Sequence, residues 1–237
     1  MTKIARSSGP FLEWLDRWMA DPPDETMSGL VKQTGGASRV AVFCVDLTVG
    51  FCSEGALSSP RVEGIVEPIA RLFRLAHSSG VRQFILPQDS HPADSPEFGA
   101  FPPHCVAGSA EADTVPQLEA LPFASTFVRI PKQSVSPAAG TDLEETLDSL
   151  LVDTAICVGD CTDICLYQMA MFLKTRATAE GRPVRVVVPA DCAQTYDMGV
   201  DDAAKVGALP HPGDLMHGVF LYHMALNGIS VVRTIDA

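Results

Sequence analysis

The chain has 237 residues, 46% of them hydrophobic, and 17 basic against 29 acidic side chains give it a net charge of −12. This is enough apolar content for one large α/β domain with a full core, and the acidic balance argues against nucleic acid or an anionic membrane as a partner. No stretch approaches the apolar length of a membrane span, and no basic region followed by an apolar one opens the chain, so a cytoplasmic protein is expected. Seven cysteines, an odd number with close spacing only around Cys161, argue against a disulfide framework.

Residues 1–37 read as an N-terminal extension. Phe11, Leu15 and Trp18, with Leu12 and Met19, form an apolar stripe at helical spacing that Asp21-Pro22-Pro23-Asp24 ends. The spacing predicts a short helix that docks on the body or on another subunit, and a homo-oligomer is expected on that basis. Trp14 and Trp18 read as packing rather than as a ligand box.

From residue 38 to 237, strand and helix signals alternate, the pattern of a mainly parallel sheet covered on both faces. Strands are predicted at Val40–Val45, Arg82–Leu86, Ser125–Ile130, Thr154–Val158, Val184–Val188 and Ile229–Arg233. Helices are predicted near Arg61–Ser79, Asp142–Leu151 and Leu215–Leu226. The result is a three-layer α/β/α architecture with about six strands. Between Pro87 and about Val115 runs a long loop rich in Pro, Gly and Ser, and loops of that length in a compact domain tend to be functional.

In such sheets ligands bind at the carboxyl ends of the strands, and Asp46, Asp89, Lys132 and Gly159-Asp160-Cys161-Thr162-Asp163-Ile164-Cys165 all lie just past predicted ends. The last of these joins an apolar strand to a helix bearing Leu166, Met169, Ala170 and Leu173. Cys165 therefore falls in the first helical turn, where free N–H groups and the helix dipole favour thiolate and would lower a pKa of about 8.5. Small residues packing a strand on a helix would leave the same trace. Asp46 alone is equally a turn former or cap, and Lys132 alone a solvated lysine. Together they supply what a thiol nucleophile needs: a base for its proton and a cation for its thiolate.

The long loop holds a second group: Asp89 and His91, then Glu97, then His104. Two imidazoles with one or two carboxylates make a mixed N/O site suited to zinc, manganese or iron, although a His-Pro pair can also be a turn with an exposed ring. Cys105 reads as packing. His77 reads as solvated, and His217 and His223 as capping or packing residues of the last helix; His211 is available without an assigned role.

The ordered set of Asp46 with Phe51, Asp89-Ser90-His91-Pro92, Phe101-Pro102-Pro103-His104-Cys105-Val106-Ala107-Gly108, Lys132 and the Gly159–Cys165 elbow resembles the isochorismatase-like cysteine hydrolases, and within them the nicotinamidases (pyrazinamidases). The resemblance implies Asp46, Lys132 and Cys165 as a catalytic triad, with the Cys161 and Cys165 N–H groups as an oxyanion hole after a cis peptide at Asp160–Cys161. It implies Asp89, His91 and His104 as ligands of a divalent metal, zinc first, with Glu97 at a position where some nicotinamidases add a carboxylate. Phe51 and Phe101 would wall a pyridine-ring pocket. The implied reaction is removal of ammonia from nicotinamide or a related heteroaromatic carboxamide through a thioester. Rival readings are a related hydrolase of another amide, carbamate or vinyl ether, and a non-catalytic metal or thiol sensor. The chain departs from the nicotinamidase pattern at Ser90, where tryptophan is usual, at Ser95, where histidine is, at Gln133–Pro137, where a Tyr-Ser-x-Phe segment is, and at Cys161, where alanine is.

Overall fold

Val40–Val45 is buried at every position, which a strand achieves only with partners on both edges and cover on both faces. The computed structural model, which describes residues 2–237, supplies both. Its strands in chain order are β1 Glu25–Thr26, β2 Val40–Val45, β3 Gln83–Asp89, β4 Val128–Lys132, β5 Thr154–Gly159, β6 Arg185–Pro189, β7 Ser230–Val232 and β8 Ile235–Asp236. Six of them form one sheet in the order β4-β3-β2-β5-β6-β7, and every pairing within it is parallel. β1 and β8 pair separately, parallel, as a small second sheet.

Side chains of β2 divide by the two-residue period of a strand. Val40, Val42 and Cys44 enter one core, beneath the Val66–Ser78 helix with its Ile69, Leu72, Phe73 and Ala76. Ala41, Phe43 and Val45 enter the other, beneath the Cys165–Ala179 helix with Leu166, Met169, Ala170 and Leu173. The three-layer arrangement follows from these two cores.

The chain enters the sheet at β2, moves outward through β3 and β4, then returns to lay β5 against the other edge of β2. The order reverses between β2 and β5, and a crevice opens past the carboxyl ends of strands at such a reversal. Gly159 ends β5 with φ +111°, and a Cβ there would sit 2.0 Å from the Val45 carbonyl oxygen. Only glycine allows β5 to run this close to β2 before the chain turns into the elbow.

Several boundaries differ from the sequence reading. The helix expected over 61–79 is two pieces, Pro60–Glu63 and Val66–Ser78, parted at Gly64-Ile65. The strand expected from Ser125 starts at Val128, because Ala124–Thr126 forms a tight 3₁₀ turn. Beyond the single-turn helices Lys3–Ser7, Val49–Cys52 and Pro116–Glu119, two longer helices were not foreseen. Met27–Thr34, capped by the Thr26 hydroxyl on the Gly29 N–H, brings Met27 and Leu30 into the main core, and Val200–Val206 is a short surface helix. The Gly9–Ala20 helix packs on Gly213–Leu226, with Trp14 and Trp18 stacked at 6.1 Å and Trp14 edge-on to Tyr222 at 5.4 Å. Among the described residues, no helix is long and apolar enough to cross a membrane.

Candidate active site

Asp46 leaves β2 with φ 53°, a left-handed turn uncommon for a residue with a side chain. The turn is fixed by a hydrogen bond from the Asp46 N–H to the Pro87 carbonyl and by the Asp89 N–H, which donates to Asp46 Oδ1 at 2.8 Å. Oδ2 faces the Lys132 ammonium at 2.8 Å, off the alignment of a hydrogen bond, so an acceptor site remains on the carboxylate. Lys132 ends β4 and is fully buried. It donates to Asp89 Oδ1 at 2.6 Å and the Ser134 carbonyl at 3.2 Å, and it reaches Cys165 Sγ at 3.6 Å. A lysine that would ordinarily extend into water is thus the hub joining Asp46, Asp89 and Cys165.

The electrostatics follow from burial. Burial and the neighbouring Asp89 charge push Asp46 up to about 7 despite Lys132, the range a general base needs near neutrality. Asp89 moves the other way: burial opposes its ionisation, but Lys132 and the His104 and His91 rings beside it outweigh it and hold the carboxyl below its ordinary range. For Lys132 burial is outweighed by the surrounding negative groups, and the ammonium is held charged. Cys165 corrects the sequence reading. The first helical turn was expected to lower its pKa, but burial pushes the thiol well above the ordinary cysteine value, Lys132 offsets only part, and Asp46 and Asp89 add to the rise. Burial thus favours a thiol beside a base over a resting thiolate.

Asp89, His91, Glu97 and His104 bring one ligand atom each within 4.8 Å of one another, an arrangement that could hold a metal ion. The two imidazoles are set for it. His104 Nδ1 lies 2.8 Å from the Pro102 carbonyl, which requires the proton there and leaves the lone pair on Nε2, toward Asp89. His91 Nδ1 faces the Ser95 hydroxyl at 3.4 Å, and its Nε2 is buried without a hydrogen-bond partner. An orphan imidazole nitrogen among carboxylates is what a cation would satisfy. Ser95, which stands where many nicotinamidases carry histidine, also accepts from the Glu97 N–H, so it shapes the turn that presents Glu97.

Both groups open on one cavity of about 620 Å³, lined by Asp46, Asp89, Glu97, His104, Cys161 and Cys165, with Phe51 and Phe101 among its walls. The Phe51 and Phe101 rings lie 5.5 and 6.2 Å from that of His104. The peptide between Asp160 and Cys161 is cis. Among the described residues, neither the Cys161 nor the Cys165 N–H donates to an acceptor in the chain, so both are available to a ligand.

Sequence reasoning missed three features. Asp160 is buried at the cavity, a carboxyl where an apolar strand end would be ordinary. Tyr196, Met198 and Leu209 line the mouth, on a segment with no strand or helix pattern strong enough to place it. His211, left without a role, pins that segment: its Nε2 pairs with Asp163 at 2.8 Å, its Nδ1 meets the Tyr196 carbonyl at 2.9 Å, and its ring stacks on Tyr196 at 3.8 Å. His77 is half-buried rather than freely solvated, and its ring stacks on Phe123 at 3.9 Å. His217 and His223 pair with Thr162 and Tyr167, each at 2.9 Å, and burial pushes His217 down to about 4.

The isochorismatase domain matches residues 40–210, which hold the whole constellation. The chain belongs to the isochorismatase family. Nicotinamidase 1 of Arabidopsis thaliana is 32% identical over 219 residues, spanning 84% of this chain and 87% of that protein. The crystal structure of nicotinamidase from Bacillus subtilis superposes with a TM-score of 0.63 at 26% identity, over 82% of this chain and 99% of that one. Pyrazinamidase of Pyrococcus horikoshii in complex with zinc shares the fold with a TM-score of 0.64 at 22% identity, over 82% of this chain and 99% of that one. This isochorismatase-family hydrolase is therefore nicotinamidase-like in sequence and fold.

Proposed function

We propose that the protein is an amidohydrolase that converts nicotinamide, or a related heteroaromatic carboxamide, to the acid and ammonia. One observation carries the reading: a buried thiol and its base line a single aromatic-walled cavity together with Asp89, Glu97 and His104 of the metal-binding set, with the Lys132 cation packed against thiol and base and His91 completing the set. A simple thiol hydrolase has no use for the second group, whereas a substrate whose ring nitrogen can bind a metal uses both. The relatives named nicotinamidase support the same substrate class.

In this reading Asp46 Oδ2 takes the proton of the Cys165 thiol, and Lys132, within reach of both groups, stabilises the resulting thiolate. The sulfur attacks the carboxamide carbon, and the oxygen that gains the electron pair is held by the free N–H groups of Cys161 and Cys165. Collapse of this tetrahedral species breaks the C–N bond. Asp46 returns its proton to the departing nitrogen, which leaves as ammonia, and a thioester remains. Asp46 then deprotonates a water that attacks the thioester, and the displaced sulfur recovers its proton. Asp89, His91, Glu97 and His104 would hold the divalent ion, zinc by the donor set, which would supply a Lewis-acid contact for the ring nitrogen.

The test follows ammonia release from nicotinamide by the metal-loaded protein, with and without a chelator, alongside Cys165→Ala. Release that depends on both the thiol and the metal is expected. No release from any pyridine or pyrazine carboxamide would overturn the reading.

A further inference from the structure

Among the described residues, the mechanism above leaves two buried acids unused, and of these Asp163 is paired with His211 while Asp160 has no such partner. Asp160 follows β5 directly, its N–H is spent on the Val45 carbonyl at 3.1 Å, and the side chain is 1% exposed. Its Oδ2 accepts from the Cys161 thiol at 3.5 Å, a weak bond, while Oδ1 has no hydrogen-bond partner in the chain. The residue nevertheless lines the cavity that holds Cys165 and Phe51.

A carboxyl is a costly residue to bury with one oxygen unpaired. A buried polar atom without a partner is destabilising, and native structures keep such atoms where a ligand completes them. Burial and the neighbouring Asp46 push Asp160 well above the ordinary carboxyl range, so it is held as the neutral acid, able both to donate and to accept. An alkyl side chain at the same place would pack as well against a plain pyridine ring, and it would leave no atom unpaired.

We propose that Asp160 is a specificity residue that reads a hydrogen-bonding substituent on the substrate ring, so that the preferred substrate is a heteroaromatic carboxamide bearing an amino, hydroxyl or lactam N–H group. This rests on the amidohydrolase reading above and narrows it. The ring would lie with its carboxamide at Cys165 and its polar substituent against Asp160 Oδ1. Plain nicotinamide fills the same cavity but leaves that oxygen unpaired. Sites built around a buried polar group discriminate against a ligand that lacks the partner far more strongly than apolar pockets discriminate by size.

The experiment compares kcat/KM for nicotinamide with that for amino- and hydroxy-substituted nicotinamides, in the metal-loaded wild type, Asp160→Val and Asp160→Asn. The ratio of the two substrates is the reading, not the absolute rate. The wild type is expected to favour at least one donor-bearing ring by about tenfold or more. Asp160→Val should collapse that preference at least tenfold, and Asp160→Asn, which keeps a donor and an acceptor, should preserve most of it. A wild type that favours nicotinamide over every donor-bearing ring overturns the proposal whatever the variants do, as does a ratio unchanged in folded Asp160→Val. Absence of turnover of every ring by the wild type overturns the amidohydrolase reading and this proposal with it.

Discussion

Charged groups gather at both ends of this sheet, and the two gatherings behave differently. At the carboxyl ends, Asp46, Asp89 and Lys132 are at most 2% exposed, share one cation among two carboxylates and leave acceptor atoms unpaired. At the amino ends, Arg39 pairs with Asp153, Arg176 with Asp148 and Glu180, and Arg182 with Glu180, all on a surface cleft near Leu147 and Pro183. There Arg39 is 42% exposed and the three arginines meet three acids, Asp148, Asp153 and Glu180. Water can solvate whatever the pairing leaves. The first cluster is expensive to bury and imperfectly satisfied, the mark of groups held for chemistry; the second costs little and does little.

The hub residue should give the largest contrast. Lys132→Met leaves Asp46 and Asp89 buried without a cation, and removing one partner from a buried pair costs about 3–5 kcal/mol. Urea unfolding should register that loss at neutral pH and a smaller one at low pH, where both carboxyls take up protons instead. Turnover should vanish together with the thiolate's counter-charge. Equal stability of Lys132→Met and wild type at pH 7 would mean that the carboxyl-end cluster is no more demanding than the surface pairs.

Asp46→Asn tests the base alone. A rate loss of roughly two to four orders of magnitude is expected, the usual contribution of a general base. The wild-type profile should carry the signature of a carboxylate raised by burial to about 7: as pH falls through that region Asp46 gains its proton, can accept none from Cys165, and activity declines. A bound divalent ion beside Asp89 adds positive charge and draws the midpoint of the metal-loaded enzyme's profile below that value. Activity of the metal-loaded protein that does not decline anywhere on the acid side of it would remove Asp46 from the role.

The metal set should respond to mass action. With zinc at about 100 times its dissociation constant, stability should rise by about 2.7 kcal/mol, because the four ligands converge only in the folded chain. His104→Ala should abolish most of that rise, since it removes one imidazole nitrogen from the set. A zinc-induced shift of the same size in the variant would locate the ion elsewhere.

Much of this was legible in the chain because its signals are local. Val40–Val45 and Thr154–Val158 are unbroken apolar runs, and the polar residues just past them fall where a parallel sheet must open. Asp46, Asp89, Lys132 and Cys165 could be named on that ground, and the resemblance supplied what spacing could not, above all the cis peptide at Asp160–Cys161 and the pocket positions Phe51 and Phe101. What failed was everything set by three-dimensional surroundings. The helix start at Cys165 argues for a thiolate until the depth of burial is known, and burial reverses the sign. Asp160 lies inside a recognisable elbow, yet nothing in the sequence says that its Oδ1 lacks a partner. The Met198–His211 segment has no periodicity; it is placed by a bridge between its two ends and by the Asp163–His211 pair, contacts between residues far apart in the chain. Val200–Val206 escaped notice for a related reason, because only Ala203 of that helix is buried and there is no apolar stripe to read.

The smallest expected effect closes the contrast. Arg39 and Asp153 flank the starts of β2 and β5, where a strong pair would clamp the two central strands at their amino ends. The strands are already held there by the parallel ladder from Val40–Thr154 onward and by the backbone bond from the Asp153 N–H to the Arg39 carbonyl, neither of which needs the side chains. With Arg39 42% and Asp153 28% exposed, the guanidinium and carboxylate keep much of their hydration when separated. Arg39→Met should therefore cost less than about 1 kcal/mol, shrink further in molar salt and leave activity untouched. A loss of several kcal/mol, insensitive to salt, would show that the amino-end pairs are as costly to break as Lys132, and exposure would then no longer be what separates the two ends of the sheet.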